Sequence, residues 1–333
     1  MKQLFNSEDI ERKVLLILKI LNDSQKPVGS RVIARMMKDS GLELSERTIR
    51  YHLKFMDERG LTRLVGRKDG RVITAVGNEE LINARVHDKT GLCISRIDLL
   101  AYKTTFDVSK KQGLVPINIS FFSPDRLGRV LEGMKPAFKH KLAVCNRIAV
   151  AKEGEKLGEV IIPNGKIGLA TICSIVINGV LLKNGIPIDS KFGGILQMKK
   201  GAPLRFVELI YYSGSSLDPS EIFIRGKMTS VRQVVEKGDG YILANFRELP
   251  AASISQVKDI LAELKKIGID GVLSMGGIGD FICQTAVAVN KAGMILIGGL
   301  NPVAGAYEQG IDVDNLAMST VMEFQDMQSV WEM

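Results

Sequence analysis

The sequence predicts an α/β (α+β) protein in two parts. A small N-terminal module of three helices and a strand hairpin precedes a larger two-lobed α/β body. Three observations carry this reading. Apolar residues recur at helical spacing through residues 7–56, then alternate as in strands. Residues 1–77 hold 7 Lys and 9 Arg against 10 acids, a net +6, whereas the whole 333-residue chain is only +8. A weak internal repeat runs through the rest. Two or three domains with a sizeable core suit this length. The expected boundaries are a module at 1–77, a linking helix and connection at 78–112, and a body at 113–333, with lobes at about 113–239 and 240–333.

In the first helix, residues 7–22, Ser7 caps, Glu8 and Asp9 suit the positive end, and Ile10, Val14, Ile17, Leu18 and Leu21 form the stripe. Pro27-Val28-Gly29 connects. Ser30 caps a second helix through Met37, with Ile33, Ala34 and Met37 inward and Gly41 beyond its end. Ser45 caps the third, and Gly60 stops it. Ile49, Leu53 and Met56 face inward, leaving Arg47, Thr48, Arg50, Tyr51 and Lys54 on the other faces. Leu61–Val65 and Arg71–Ala75 alternate as strands around a Gly66–Gly70 turn. Three helices and a basic hairpin make a winged helix-turn-helix, whose third helix enters the major groove of double-stranded DNA. Ser45, Arg47, Thr48, Arg50, Tyr51, His52 and Lys54 are the candidate contacts there. Arg67, Lys68 and Arg71 are those of the wing. A solvated basic face is the plainer alternative for each taken singly. His52 suits base contact or a satisfied, partly buried ring equally.

Residues 78–86 read as a linking helix. Over 93–113, Ile97, Leu100 and Ala101 suit a helix, and Phe106 with Val108 suits entry to a hairpin. Leu114–Phe122 is a strand, followed by a helix from Asp125 to Met134 with Pro124 at its first position. The repeat sets Val115-Pro116-Ile117-Asn118-Ile119 beside Ile242-Leu243-Ala244-Asn245-Phe246, and 181–186 beside 289–294. Each half reads strand, helix, glycine-rich turn, helix, strand. Two such lobes form a cleft suited to a small molecule.

The densest chemistry lies in Pro163–Val180. Thr171 can cap the next helix, whose first amides would then face an anion, with Ser174 and Asn178 on one face. A capped and merely solvated helix is the alternative. Gly276-Gly277-Ile278-Gly279-Asp280 is the matching stretch of the second lobe. It lacks the spacing of a dinucleotide site, and Asp280 would repel an anion. Gly298-Gly299 is a turn permitting close backbone approach. Lys191 and Arg247 lie beside loop signals and can meet a carboxylate. Cys93, Cys145, Cys173 and Cys283 form no metal or disulfide spacing. His52, His87 and His140 stand in no nucleophile motif. A non-enzyme without cofactor or metal is therefore expected. Without an apolar run of membrane length or a signal-peptide core, a cytoplasmic protein with no membrane partner is expected.

Two blocks, Ser45–Leu53 with Asp57–Thr62 and Thr171–Ser174 with Asn178–Pro187, resemble the archaeal nitrogen-regulation repressor family. Its members join a winged helix to a nitrogen-regulatory effector domain, and the likeness spans nearly the whole chain. It implies a homodimeric repressor of nitrogen-assimilation genes that binds an inverted-repeat operator and is relieved by 2-oxoglutarate, a regulatory ligand. Some members carry two effector domains or divide the work between chains, so a second regulator chain is an implied partner. Thr171, Cys173, Ser174 and Asn178 carry over as effector contacts, and Gly168 is a candidate beside them. Lys191 and Arg247 are candidate partners for the ligand's second carboxylate. A different metabolite or an activator of the same build, and an enzyme fused to a DNA-binding head, are the competing readings.

Overall fold

The computed structural model describes residues 7–24, 26–39, 42–66, 69–84 and 91–333. It divides into two compact units, Met1–Ser95 and Arg96–Met333.

The first unit holds α1 Ser7–Ser24, α2 Ser30–Asp39, α3 Glu46–Glu58, the hairpin β1 Thr62–Gly66 and β2 Gly70–Ile73, and α4 Ala75–Asn83. Its core is built from the predicted stripes: Val14, Ile17, Leu18, Leu21, Ile33, Met37, Ile49, Leu53 and Met56 are all buried. The connector does more than join helices. Val28 exchanges backbone hydrogen bonds with Arg71 at 2.9 and 3.0 Å, adding a third strand position to the hairpin. That close approach requires Gly70, whose φ is +101° and whose added Cβ would run into Val28. Two local expectations change. Gly29 supplies the carbonyl that opens α2, and the Ser30 hydroxyl instead donates to Glu46 at 3.1 Å. Ala75 belongs to α4, because Thr74 caps that helix by accepting from Gly77 at 3.0 Å. The expected linking helix thus begins earlier, and its Leu81 packs on the core of the first unit. The side chains of Ser7, Glu8 and Asp9, and residues Gly41, Arg67, Lys68 and His87, lie outside the described residues.

The second unit opens with most of α5, Leu92–Lys103, whose Ile97, Leu100 and Ala101 are buried. Next come β3 Leu114–Phe122, α6 Leu127–Lys139, β4 Arg147–Ala151, a small hairpin of β5 Lys156–Leu157 and β6 Val160–Ile161, then β7 Ile167–Ile172, α7 Ile175–Lys183, β8 Asp189–Lys199 and β9 Ala202–Tyr211. After α8 Pro219–Arg225 and α9 Val231–Lys237, the pattern recurs. It runs through β10 Gly240–Pro250, α10 Ile254–Lys266, β11 Val272–Ile278, β12 Lys291–Ile297, α11 Asn301–Tyr307, β13 Asp314–Glu323 and β14 Gln328–Ser329.

Two β-α-β-β-α-β repeats are therefore present; the sequence predicts strand, helix, glycine-rich turn, helix, strand, and the two middle strands of each, β4 with β7 and β11 with β12, are additional to that expectation. The lobes, however, are not the contiguous halves 113–239 and 240–333. One antiparallel sheet has the order β13-β3-β7-β4-β14, the other β11-β12-β10-β8-β9. The last strand of each repeat thus pairs with the first strand of the other, β8 with β10 and β13 with β3. Helices cross over as well. Gly133 of α6 lies so close to Ala306 of α11 that an added Cβ would stand 3.0 Å from its Cα. Both repeats build one core, with Ile119, Leu196, Leu296 and Val303 all fully buried.

Candidate functional site

On the first unit, the Ser45 hydroxyl accepts from the Thr48 amide at 3.1 Å and fixes where α3 starts. With Ile49, Leu53 and Met56 turned inward, Arg47, Arg50, Tyr51 and Lys54 stand exposed, Tyr51 by 72%. Arg50 lies 3.4 Å from Glu46, and Lys54 lies 3.9 Å from Glu58, exposed pairs that exchange readily for phosphate. These four side chains, with half-buried Thr48, form a basic face crossed by one aromatic ring.

Two predicted contacts leave the set. His52 is 6% exposed among the core residues of α3, because its position shares the inward face with Ile49, Leu53 and Met56. Arg71 turns back onto α3, where its Nε donates to Asp57 at 2.7 Å while Asp57 also accepts from the Thr62 hydroxyl at 2.6 Å. Arg71 is thus a brace between hairpin and helix. Among the described residues of the hairpin, the exposed cation is Arg63 of β1, which the sequence reading passed over because alternation there is masked by neighbouring apolar residues.

On the second unit, the two repeats bring their first strands and their strand-to-helix junctions to one pocket. Asn118 and Asn245, at matching places of β3 and β10, both line it, as do Cys173, Ser174, Gly298, Gly299, Tyr212, Asp218, Arg247 and Met318. Its free volume is about 20 Å³, room for one or two waters.

Arg247 dominates the pocket. It is 1% exposed, its guanidinium donates to the hydroxyl of Ser174 at 3.4 Å and to that of Ser190, and its Nε has no hydrogen-bond partner among the described residues. No carboxylate forms an ion pair with it among the described residues. Burial pushes its pKa below the ordinary value, opposed by Tyr212, Cys173, Asp218 and Asp98. Asp218 and Asp98 are themselves pushed up by burial. A buried cation holding only neutral hydroxyls is an incomplete arrangement, and an anion completes it. Around it, Tyr212 donates to Asn245, and the Asn245 amide donates to Ser174 at 3.2 Å.

The other predicted effector residues sort by distance from this pocket. Cys173 and Ser174 line it, and burial holds the Cys173 thiol up at about 11. Asn178 stands behind, donating to Ser190 at 3.1 Å and so supporting a partner of Arg247. Thr171 does not cap a helix. It lies in β7, and its hydroxyl donates to the Gly299 carbonyl at 3.3 Å, holding the glycine turn. The helix begins later, at Ile175 after Ser174, and the Cys173 amide is already spent on Pro116 at 2.9 Å. Gly168 does not line this pocket, because it lies inside β7 against Ile162 and Leu157. Lys191 does not line it either. Its ammonium is held by Asp189 at 2.7 Å and Glu248 at 3.3 Å. Gly276–Asp280 is not the counterpart of the first junction. That place belongs to Gly298–Leu300, between β12 and α11, where Asn301 clamps Leu243 through two hydrogen bonds of 2.8 and 2.9 Å. Tyr212 and Asp218 were missed, since the segment after β9 carries no pattern of its own.

Comparison with known proteins gives a consistent result. The model of the NrpR regulatory domains NRD1 and 2 matches residues 90–329, and that of the ribonuclease R winged-helix domain matches 15–81. The chain is 37% identical to the global nitrogen regulator NrpRI of Methanosarcina mazei, over 96% of this chain and 98% of that one. It is 34% identical to the global nitrogen regulator NrpR of Methanocaldococcus jannaschii over 96% of its length, spanning 55% of that longer protein. A crystal structure of a nitrogen repressor-like protein from Methanococcus jannaschii superposes with a TM-score of 0.61 at 29% identity, covering 72% of this chain and 98% of that one.

Proposed function

This chain belongs to the NrpR regulatory-domain family, and on that premise we propose that it represses nitrogen-assimilation genes from an inverted-repeat operator and is released by 2-oxoglutarate. It acts as a regulator rather than an enzyme. The first unit grips DNA through Arg47, Arg50, Tyr51 and Lys54 of α3. A homodimer presents two such helices to two half-sites. The second unit takes the effector at Arg247.

The observation that carries the effector reading is the buried, unpaired Nε of Arg247. A carboxylate accepts two parallel hydrogen bonds from a guanidinium and adds the charge this cation lacks. The hydroxyl of Ser174 and the amides of Asn118 and Asn245 supply further polar partners along the ligand. A different small carboxylate acting on the same build remains a competing reading, because the pocket wall holds a single buried cation and so selects one carboxylate strongly.

The test is operator affinity at fixed salt, with and without saturating 2-oxoglutarate, alongside a panel of other keto acids and of amino acids. Release by 2-oxoglutarate, together with weaker 2-oxoglutarate binding in the presence of DNA by the same factor, supports the proposal. Unchanged operator affinity sinks it, and release by another acid alone replaces the effector.

A further inference from the structure

The wall of the Arg247 pocket contains one strained segment. Met318 has φ +48°, a left-handed conformation uncommon for a residue with a long side chain. It sits in a bulge. The pairing of β13 with β3 runs Leu316 to Ile119 and then resumes at Thr320 with Ile117, so residues 317–319 leave the ladder. Their backbone groups are taken up by side chains. The Ala317 amide donates to Glu221 at 2.7 Å, and the Met318 amide donates to Asn118 at 3.0 Å. The carbonyls of Met318 and Ser319 both accept from the guanidinium of Arg96, Met318 at 2.6 Å.

The place of Arg96 in the chain gives this grip its interest. Arg96 is the first residue of the second unit, and α5, on which it sits, begins four residues earlier in the segment assigned to the first. One side chain therefore ties α5, the helix that follows the DNA-binding unit in the chain, to a strained stretch of the pocket wall.

We propose that Arg96 is the positioning residue through which occupancy of the pocket is passed to α5 and so to the DNA-binding unit. The inference rests on the effector reading above and adds its wiring. A free volume of about 20 Å³ does not admit a five-carbon dicarboxylate, so the wall moves when the ligand enters. Parts of the wall are tied into regular ladders: Gly193 and Gly194 pair within the β8–β10 ladder, and Gly298 is bonded to Leu243 at 2.9 Å. The Met318 bulge lies outside the ladder and carries backbone strain, so it can yield where the paired strands do not. When it shifts, two carbonyls move together, and the fork of Arg96 moves with them.

The experiment uses the full chain, with Arg96→Gln and the more conservative Arg96→Lys. Thermal melting checks folding, calorimetry gives 2-oxoglutarate affinity, and fluorescence anisotropy gives operator affinity with and without effector. Linked sites commonly couple by about 5- to 150-fold. Arg96→Gln is expected to bind 2-oxoglutarate within about threefold of the unaltered chain, yet to lose most of the effector's weakening of operator binding. Arg96→Lys, with charge but no fork, is expected to lose part of it. A merely structural role for Arg96 lowers melting temperature and leaves the coupling factor intact. Full coupling in either folded variant overturns the inference. If the unaltered chain binds no 2-oxoglutarate, the effector reading fails first and takes this wiring with it.

Discussion

Arg247 and Ser120 hold the same position in the two repeats, and each donates to its cross-strand partner at the start of the exchanged strand, Arg247 to Ser190 and Ser120 to Asn315. The hydrogen bond is common to both halves, but the charge belongs to one. The strand exchange is thus two-fold in its hydrogen bond and one-sided in its charge, and of the two residues Arg247 is the one that lines the pocket.

That one-sidedness predicts separate effects on binding and stability for Arg247→Met. Losing a charge-assisted pair is expected to weaken 2-oxoglutarate binding by about 10- to 100-fold. Removing a buried guanidinium without a carboxylate partner is expected to leave the melting temperature unchanged or higher, since replacing such a charge with an apolar side chain is commonly neutral or stabilising. Calorimetry and thermal melting on one preparation read both. A large drop in melting temperature with intact binding would count against the site.

The DNA face separates Arg50 from Arg71. Arg50→Ala is expected to reduce the slope of log affinity against log salt by about one unit, as for a lost phosphate contact. Arg71→Ala is expected to leave that slope unchanged and to destabilise the first unit by about 1 kcal/mol, through loss of the brace to Asp57. Operator titrations at three salt concentrations, with melting curves, distinguish the two.

Packing between α5 and α7 is tight enough to predict a paired effect. A Cβ on Gly179 would run into the buried side chain of Thr104, whose hydroxyl is already bonded to the Leu100 carbonyl at 2.8 Å. Gly179→Ala is expected to cost about 1–3 kcal/mol by overpacking. Adding Thr104→Gly should return part of it, a coupling that a double-mutant cycle in denaturant measures.

Asp107 gives a pH signature. The Ser109 hydroxyl, the Lys110 amide and the Lys110 charge hold its carboxyl at about 2, below the 3.8 of the unfolded chain. A depressed carboxylate stabilises the fold fully above the unfolded value, and that stabilisation is lost as pH falls through about 2. Asp107→Asn is therefore expected to melt lower than the unaltered protein at pH 7, with the two converging as the solution is acidified. A gap that persists at pH 2 would assign the effect to something other than ionisation.

Much of this molecule was legible where the signal is local. The Ser45 cap and the stripe Ile49, Leu53, Met56 sit within one helix, so α3 and its exposed cations follow from spacing alone. The first strand and first helix of each repeat also follow from local pattern, but the two middle strands do not. What was not legible is pairing across the chain. β8 and β13 are equally apolar whichever sheet receives them, so the exchange leaves no mark on either segment. The same limit explains the site. Six successive buried residues of β7, Ile167–Ile172, look alike whether read as strand or as the start of a helix, and Thr171 was assigned to the wrong side of the junction. Lys191 and Arg247 looked equivalent beside their loops. Only the fold puts Asp189 and Glu248 in ion pairs with one and gives the other hydroxyl acceptors without an ion-pairing carboxylate among the described residues.

The exchanged end strands bear on ancestry and on engineering. A single repeat cut at the midpoint carries a strand whose sheet lies in the other repeat, so it is complete only as two interlocked copies. A gene duplication that fused two such copies would turn a concentration-dependent association into a tethered one, and free each half to diverge. Arginine at one of the matched strand positions and serine at the other is the divergence such a fusion permits, because a symmetric pair of identical copies must place the same residue at both.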